Sequence, residues 1–460
     1  MSDLVLGVNE RPKKVSEWLL LSFQHVAAAM CATILVPILT GLSIGSALIS
    51  AGFGTLMFLF VTRKKAPIFL GSSFAYIGPI ITALSIGTIT KSAEGFLNQN
   101  FWAPIIGVTA VGLLYLVLGI IILFTGSSWV KKLLPKQIIG PVIMLIGLGL
   151  SGSAVNNVVT TGDTMLANLL IGVVSLVATT LVMHYGNKKL SPYPILMGLG
   201  AGFILAIILS IFGYSFNIEG LKVIDYSPFT NNNWASFKGW INTDLTIVRA
   251  LNTEVSFSLS NILQILLLFL PIALVTLCEG IGDYIVVGEI IGSDLMDNEP
   301  GYGRMVIGDA VATIFGGLTA GCDTTSYGEN AAVVGISKVA SVWVIGLAAI
   351  EMTFIGFFNP LILVIQIIPA SVLGGICFIL YGFIAMSGIK MIANKELLDI
   401  NKNVAIISTV LVAGLGGMMV SFTINGNIFS ISSTVMGLIL GILLNVITRE
   451  KKIKNSIQNI

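Results

Sequence analysis

Long apolar stretches recur along almost the whole chain, and this feature constrains the fold more than any other. A helix needs about 20 predominantly apolar residues to cross the hydrocarbon core of a bilayer. Stretches of this kind, separated by short polar or glycine-rich connections, run from residue 17 to residue 447. Because nothing in hydrocarbon can satisfy an exposed backbone N–H or C=O group, such stretches cross the bilayer as helices. The sequence therefore predicts a polytopic, all-α integral membrane protein.

Fourteen spans are predicted, seven on each side of a polar gap. The first seven cover residues 17–40, 44–62, 67–85, 101–125, 138–157, 165–185 and 193–213. The second seven cover residues 260–287, 303–320, 323–337, 339–358, 360–391, 403–422 and 427–447. The chain thus divides into a polar N-terminus at 1–16, a first unit at 17–213, an outer loop at 214–259, a second unit at 260–447 and a polar C-terminus at 448–460.

The distribution of basic residues supports this count. With both termini in the cytoplasm, 20 of the 24 lysines and arginines fall on the inner side of the membrane. If the two weakest spans, 67–85 and 323–337, did not cross, the number would fall to 18 of 24. Since cytoplasmic loops carry an excess of Lys and Arg, the larger number favours fourteen crossings and cytoplasmic termini.

Composition excludes several classes of function. The chain is 55% hydrophobic and only 10% charged, with a net charge of +2 and no basic tract of the kind that binds nucleic acid. All four cysteines lie inside apolar stretches, at spacings that suggest neither a disulfide framework nor a metal site. We therefore expect the lipid bilayer as a partner, and neither nucleic acid nor a metal.

The third and tenth predicted spans are polar and broken by glycine. They contain PIFLGSSFAYIGP at residues 67–79 and GCDTTSYGENAAV at residues 321–333, and they occupy the same ordinal place in the two halves. Paired, interrupted spans of this kind indicate discontinuous helices that meet at a substrate site near the middle of the membrane. The free N–H groups of each half-helix would face that site. We expect short strand-like breaks in both spans.

The eighth predicted span carries acidic residues within LVTLCEGIGDYIVVG, residues 274–288. Glu279 and Asp283 are four residues apart and therefore share one helix face. A charged aspartate at the centre of a span costs roughly 2.5 to 3.5 kcal/mol on insertion scales. Together with Glu329 in the tenth span, these carboxylates favour a binding site over the alternative, in which they anchor broken helices. Asp309 and Asp323 are expected to stabilise helix breaks. The sequence suggests no role for Glu351, which lies in an otherwise apolar span.

Six segments distributed along the chain carry a family pattern. They are QHVAAAMCATILVP (24–37), GSSFAYIGP (71–79), EGIGDY (279–284), TTSYGEN (324–330), SKVASVWVIG (337–346) and LYGFIAMSGIK (380–390). Together they resemble the nucleobase-ascorbate transporter family, also called nucleobase-cation symporter 2, and especially its bacterial uracil permeases. The resemblance covers nearly all of the chain in the right order. It implies two inverted seven-span repeats, a core domain of spans 1–4 and 8–11, a gate domain of spans 5–7 and 12–14, elevator-type alternating access, and a homodimer in the plasma (inner) membrane.

The resemblance, together with the chemistry of the residues, predicts roles for individual residues, and the role of Asp283 rests on its place one helical turn from Glu279. Those expected to bind substrate are Glu279, Glu329, Phe74, Gly328, Tyr327, Ala32 and Tyr381. Proton coupling is expected to involve Asp283, Glu279 and His25, although His25 fits a structural role equally well. Structural residues at the site are Asn330, Ser73 and Gln24. The chain departs from the family pattern at Ala332 and Ser337, and at Asp283, where uracil permeases commonly have histidine.

These features predict a transporter rather than an enzyme. We expect it to import a nucleobase, uracil in first place, by proton symport and without any other cofactor. A purine permease for xanthine or urate is the main alternative, and coupling to sodium rather than protons is a second one. An anion transporter of the same architecture is more remote, because it would need cationic groups where this chain has Glu279 and Glu329.

Overall fold

The structure is a computed structural model that describes residues 4–93, 95–96, 98–159, 161–186, 194–393, 395–424 and 427–448. Within these ranges it does not describe the side chains of Cys31, Lys238, Glu329, Ala332, Ile336, Lys395, Glu396, Ile424 and residues 427–429.

The first half of the described chain is mainly helical. Its elements are α1 (Val15–Thr40), α2 (Ile44–Val61), β1 (Leu70–Gly71), a 3-10 turn (Phe74–Tyr76), α3 (Ile77–Ala83), β2 (Thr88–Lys91), α4 (Trp102–Thr125), α5 (Ser128–Leu133), α6 (Lys136–Gly149), α7 (Ser151–Val158), α8 (Met165–Tyr185) and α9 (Pro194–Phe216). The connection to the second half contains a 3-10 turn (Glu219–Leu221), α10 (Ser227–Thr230), α11 (Phe237–Trp240), α12 (Thr246–Leu251) and β3 (Glu254–Ser256).

The second half repeats the pattern of long helices with an interrupted segment. Its elements are α13 (Leu259–Ile291), α14 (Tyr302–Ala320), β4 (Thr325–Ser326), α15 (Gly328–Ser337), α16 (Val342–Phe357), α17 (Asn359–Gln366), α18 (Ala370–Ile392), α19 (Lys395–Leu398), α20 (Asn401–Leu415), β5 (Val420–Ile424), β6 (Asn427–Ile431) and α21 (Ser433–Ile447).

Eight helical segments of the described chain are long and apolar enough to cross a membrane. They are α1, α2, α4, the segment Lys136–Val158 that comprises α6 and α7, α8, α9, α13 and α18. Shorter apolar helices cover Phe74–Ala83, Val342–Phe357, Asn401–Leu415 and Ser433–Ile447. The protein is therefore a multi-pass membrane protein, and the number of fourteen crossings stays a prediction.

The helices pack in two groups. In one group α4 packs against α13 and α14, and α16 packs against α1 and α2. In the other, α6 packs against α18 and α20, and α8 packs against α9 and α18. Glycines bring backbones close in both groups: a Cβ added at Gly112 of α4 would lie 2.7 Å from the Ile314 nitrogen of α14, and one at Gly388 of α18 would lie 2.4 Å from the Gly140 oxygen of α6. Close packing through small residues is typical of membrane helices.

Two interrupted segments cross in the first group. Strand β1 pairs antiparallel with β4, with Leu70 opposite Ser326 and Gly71 opposite Thr325. The strand-like breaks expected near residues 70 and 325 are therefore present. Each strand leads into a helical segment, the turn at Phe74–Tyr76 with α3 and the helix α15, so both helical starts lie near the crossing point.

The last two predicted spans, 403–422 and 427–447, are wrong as continuous helices. Helix α20 ends at Leu415, and β5 and β6 form a hairpin before α21 begins at Ser433. Glycines follow the end of α20, and Gly417 has a left-handed φ of 73° that favours glycine. The β-branched and aromatic residues of Val420–Ile424 then favour a strand. A third sheet, β2 with β3, joins the connection after α3 to the connection before α13, so the described chain is not wholly α-helical.

Two further predicted spans are broken. The segment at 138–157 is divided between α6 and α7 at Leu150, and the segment at 360–391 is divided between α17 and α18. Pro369 precedes α18. Because proline has no N–H to donate and clashes with the preceding helical turn, it ends α17 and begins a new helix.

Candidate functional site

Ser73 connects the first interrupted segment to a carboxylate of α13. Its hydroxyl donates a hydrogen bond of 2.8 Å to Glu279 Oε2. The Ser73 hydroxyl oxygen also accepts a hydrogen bond of 3.2 Å from the N–H of Ala75, which caps the turn that begins at Phe74. The backbone N–H of Ser73 donates to Asp323 Oδ1 at 3.2 Å, and both residues are buried. Asp323, Ser73 and Glu279 therefore form a chain that fixes the start of the helical turn against α13.

Asp283 makes the equivalent connection to the second interrupted segment. Its Oδ2 accepts a hydrogen bond of 2.8 Å from the hydroxyl of Ser326 in β4. A Cβ added at Gly328 would lie 3.2 Å from Asp283 Oδ1, so the start of α15 approaches this carboxylate closely. Two carboxylates one helical turn apart are thus held by two serines, one from each interrupted segment.

Tyr327 ties the crossing strands to α1. Its hydroxyl donates to the carbonyl of Ser72 at 2.9 Å and accepts from the hydroxyl of Thr33 at 3.2 Å. Its ring lies on Gly71, where an added Cβ would be 2.3 Å from two ring carbons. Only a glycine at 71 leaves room for this ring.

Asn330 and His25 form a buried contact beside α15. Asn330 Nδ2 lies 3.3 Å from His25 Nδ1 and 3.3 Å from the His25 carbonyl oxygen. Both side chains are at most 2% exposed. The Glu329 side chain, between Gly328 and Asn330 in the sequence, lies outside the described part of the structure. Glu329 is the second residue of α15. Gly328, the first residue of that helix, borders the cavity described below.

Phe74 connects the first interrupted segment to α18 through a ring contact. Its ring meets that of Tyr381 edge-on, with centroids 5.6 Å apart and planes at 81°, a favourable arrangement of two aromatic rings. Both rings are buried. The contact joins the two groups of helices, because Phe74 follows β1 and Tyr381 lies in α18.

A cavity of about 510 Å³ is bordered by α13 and by both interrupted segments. Its inner wall includes Ser72, Phe74, Glu279, Asp283, Tyr327 and Gly328. It continues past Ala27 and Ala28 of α1, Met183 and Pro194, and reaches Ser337 and Lys390. Ser337 adjoins Lys338, whose carbonyl accepts a hydrogen bond from Val5, so the cavity extends toward the side of the protein that carries the N-terminal segment. A volume of this size suits a small ligand.

Not every residue predicted for the site borders this cavity. Ala32 is fully buried in α1, one turn beyond Ala28, and Tyr381, whose ring contacts Phe74, is also absent from the cavity lining. His25 and Gln24 also lie outside the cavity lining. Ser326 was not predicted from the sequence, although its place in the polar stretch 321–333 was a usable signal.

A second cavity, of about 710 Å³, is lined by neither Glu279 nor Asp283. It is lined by α5, the start of α6 and the end of α13, and includes Lys131, Gln137, Tyr284 and Asp294. Lys131 pairs there with Asp297 at 2.8 Å and Asp294 at 3.5 Å. The lysine holds the pKa of Asp297 below its ordinary value through a hydrogen bond. This cavity is larger, but it borders neither interrupted segment, so it is the weaker candidate for a substrate site.

Comparison with known proteins gives a consistent result. A sequence profile of the permease family Xan_ur_permease matches residues 16–423. A uracil permease of Bacillus caldolyticus is 35% identical over 450 residues, covering 97% of this chain and 95% of the relative. One of Bacillus subtilis (strain 168) is 34% identical over 454 residues, covering 97% and 96%. One of Escherichia coli (strain K12) is 31% identical over 427 residues, covering 92% and 89%.

Solved structures share the fold. The transmembrane domain of the cyanobacterial bicarbonate transporter BicA matches with a TM-score of 0.61 at 12% identity, over 95% of this chain and 99% of that chain. The structure of SLC26A9 matches with a TM-score of 0.60 at 13% identity, over 94% of this chain and 66% of that chain. At such low identity the likeness extends to the fold alone.

Proposed function

The chain belongs to the permease family Xan_ur_permease, and we propose that it imports uracil as a secondary active transporter driven by protons. Permeases are transport proteins rather than enzymes, and a multi-pass membrane fold agrees with that role. The names of three relatives that match over most of the chain support uracil as the substrate.

The observation that carries the proposal is the position of Glu279 in a cavity bordered by the start of α15. Uracil is a flat, neutral ring with two N–H donors and two carbonyl acceptors. A carboxylate can accept a ring N–H, and the free backbone N–H groups at a helix start can donate to the carbonyls. A buried polar group left without its partner costs about 1 to 3 kcal/mol, and this cost would select uracil over rings with a different donor pattern.

The other contacts are assigned on the same basis. We assign the second ring N–H to Glu329, whose place in α15 follows Gly328. Phe74 and Tyr327 both border the cavity and would cover the faces of the ring. Tyr381, which supports Phe74 from behind, would act through that ring rather than by direct contact.

We further propose the family architecture for this chain: fourteen spans in two inverted repeats at 17–213 and 260–447, with both termini in the cytoplasm. The packing supports it, because α4 of the first half contacts two helices of the second, and α16 of the second contacts two helices of the first. The group of α4 and α16 would be the core domain, and the group of α6 and α18 the gate domain. A homodimer in the plasma membrane is part of the proposal.

The cavity suggests how transport proceeds. Its carboxylates belong to the proposed core domain, whereas Met183, Pro194 and Lys390 belong to the proposed gate domain. With the N-terminus in the cytoplasm, a cavity that extends toward Lys338 would correspond to an inward-facing state. Elevator-type movement of the core against the gate would then carry the site to the other side.

Protons are proposed as the driving ions because two carboxylates lie one turn apart at the site. Close carboxylates in a medium of low dielectric constant repel, so that one of them binds a proton more tightly. We propose that Glu279 and Asp283 share this role, with His25 contributing through its contact with Asn330.

Uptake of labelled uracil into proteoliposomes tests the proposal. Uptake should increase when the outside is acidified, and excess unlabelled uracil should compete more strongly than xanthine, guanine or ascorbate. Stronger competition by xanthine would instead indicate a purine permease. Uptake that follows a sodium gradient and ignores pH would refute proton coupling.

A further inference from the structure

Helix α2 ends in a strained turn that carries two basic residues. Arg63 and Lys64 have φ angles of 55° and 58°, a left-handed conformation that residues with a side chain adopt uncommonly. Their N–H groups donate to the carbonyls of Phe60 and Leu59, which holds the turn. Strain of this kind persists where the surrounding structure imposes it and often marks a functional site.

The turn places the Lys64 amine on the ring of Trp343, the second residue of α16. The amine lies 4.5 Å from the ring centroid, and the guanidinium carbon of Arg11 lies 3.5 Å from the same centroid. The carbonyl of Trp343 accepts a hydrogen bond of 3.0 Å from the indole of Trp18, at the start of α1. Two cations from distant parts of the chain therefore meet on one indole.

Arg11 is held in place by the N-terminal segment. Leu6 pairs in parallel with Val339, and the N–H groups of Ala340 and Val342 donate to the carbonyls of Leu6 and Val8 at 2.9 Å and 3.0 Å. The segment thus runs along the connection between α15 and α16, and delivers Arg11 to Trp343 in a fixed position.

The two cations form no ion pair within the described chain. Across the described chain, no carboxylate lies within 4.0 Å of Arg11 or Lys64; the ion pairs found there involve other cations. The nearby Glu10 carboxylate accepts a hydrogen bond from the Gly7 N–H. Both cations are also exposed. Their charge is available to an anion outside the protein.

An exposed apolar stripe begins at the same indole. On the face of α16 that carries Trp343, Ile350 is 51% exposed and Phe354 is 77% exposed. Gly346 lies between the indole and these two residues. The space next to it is largely open, since an added Cβ would meet only Leu59 Cδ1, at 3.7 Å. The stripe therefore runs from the cationic end of α16 along this short apolar helix.

We propose that Arg11, Lys64 and Trp343 bind an anionic phospholipid of the inner leaflet. The phosphate of the headgroup would lie between the two cations, and an acyl chain would follow Gly346, Ile350 and Phe354. The paired cations match the charge of the headgroup, and basic clusters at the cytoplasmic ends of membrane helices bind anionic lipids in this way. Such a lipid would hold the N-terminal segment against the connection that follows α15.

Native mass spectrometry of the full chain in detergent tests the proposal with three probes: a diacyl phosphatidylglycerol, a phosphatidylcholine with the same acyl chains, and glycerol 3-phosphate. The parent protein should retain phosphatidylglycerol in preference to the other two. We expect each of the two cations that contact the headgroup phosphate to contribute roughly a fivefold factor in affinity, so Arg11→Gln with Lys64→Gln should weaken phosphatidylglycerol binding by about 25-fold.

The matched control removes the same charge from the same region. Lys13→Gln with Lys14→Gln changes two exposed lysines for which the described chain gives no ring contact, and should leave binding within about twofold. The proposal would be overturned if both double variants lost phosphatidylglycerol binding equally, or if Arg11→Gln with Lys64→Gln left that binding unchanged. It would also be overturned if the parent protein retained glycerol 3-phosphate, which lacks acyl chains, as well as it retains phosphatidylglycerol. Trp343→Leu, which keeps every charge, provides a second variant: it should lose the preference for phosphatidylglycerol, and an unchanged preference would also overturn the proposal.

Discussion

The hydroxyl of Ser73 donates a hydrogen bond of 2.8 Å to the carboxylate of Glu279, and so joins residues 206 positions apart in the sequence. The bond links the break in the first half of the chain to the long helix α13. Ser326 makes the matching bond to Asp283 from the break in the second half. Glu279 and Asp283 are thus oriented by different interrupted segments, which fixes both before a substrate arrives.

Removing the Ser73 hydroxyl should weaken substrate binding. Ser73→Ala takes one donor from Glu279 and removes the cap from the Ala75 N–H. A hydrogen bond to a charged group contributes about 1.5 to 3 kcal/mol, so uracil affinity should fall by at least tenfold in calorimetric titration. Ser85→Ala is the control, because that hydroxyl bonds only to Thr82 near the end of α3 and is exposed. An equal loss in the control would contradict a specific role for Ser73.

Glycine at position 71 is predicted to be essential for the site, whereas glycine at position 78 is not. In Gly71→Ala the new Cβ would lie 2.3 Å from ring carbons of Tyr327, and overpacking of this kind costs about 1 to 3 kcal/mol. Because the ring borders the cavity, uracil affinity should fall by about tenfold or more. In Gly78→Ala the new Cβ meets nothing within 4 Å, and alanine suits the helix α3 better than glycine. That variant should bind like the parent and melt no earlier.

Much of the architecture could be predicted from the sequence because long apolar segments have few alternatives in a bilayer. The family resemblance inferred from residues such as 279–284 and 324–330 is confirmed by the profile match over residues 16–423. The interrupted spans were also recognisable, since hydroxyl residues and glycines replace apolar residues there. The hairpin of β5 and β6 was missed because hydropathy does not distinguish an apolar strand from a helix. Its Asn425-Gly426 pair is a strong turn signal, although these two residues lie outside the described structure.

The partners within the site could not be predicted in the same way. Helical spacing places Glu279 and Asp283 on one face, but it says nothing about which serine meets which carboxylate. That pairing depends on the register of β1 with β4, where Leu70 lies opposite Ser326. A shift by one residue would turn Ser326 to the other side. Likewise, only the packing of α1 against the crossing strands explains why Ala27 and Ala28, rather than Ala32, border the cavity.

The buried Arg249 of α12 is predicted to contribute stability rather than binding. Arg249 donates to both oxygens of Asp244 at 2.7 Å and 2.6 Å, and to the carbonyl of Gly41 at 2.7 Å. Its side chain is only 9% exposed, but Asp244 is 49% exposed, so we expect about 1 to 3 kcal/mol rather than the larger cost of breaking a fully buried pair. Arg249→Gln should lower the melting temperature in detergent and leave uracil affinity unchanged.

The control for Arg249 is an ion pair at the surface. Lys91 and Glu254 lie 3.5 Å apart, and both side chains are about two-thirds exposed. Since exposed pairs contribute about 0 to 1 kcal/mol, Lys91→Gln should hardly change the melting temperature. A loss of uracil affinity in Arg249→Gln without any loss of thermal stability would contradict the structural assignment.

Asp283 should separate substrate binding from proton coupling. Asp283→Asn keeps an oxygen that can accept the hydrogen bond from Ser326, but the side chain can no longer ionise. We therefore expect uracil affinity to stay within roughly tenfold, about 1.4 kcal/mol, while accumulation driven by a proton gradient is largely lost.

Ser326→Ala is the matched variant, because it removes the hydrogen bond and leaves the carboxylate able to take up a proton; it should retain accumulation. Affinity measured by calorimetry and accumulation measured in vesicles, on the same preparation, distinguish these outcomes. Full accumulation by the Asn variant would remove Asp283 from the proton path, and loss of binding in both variants would make Asp283 a structural anchor of the break at β4.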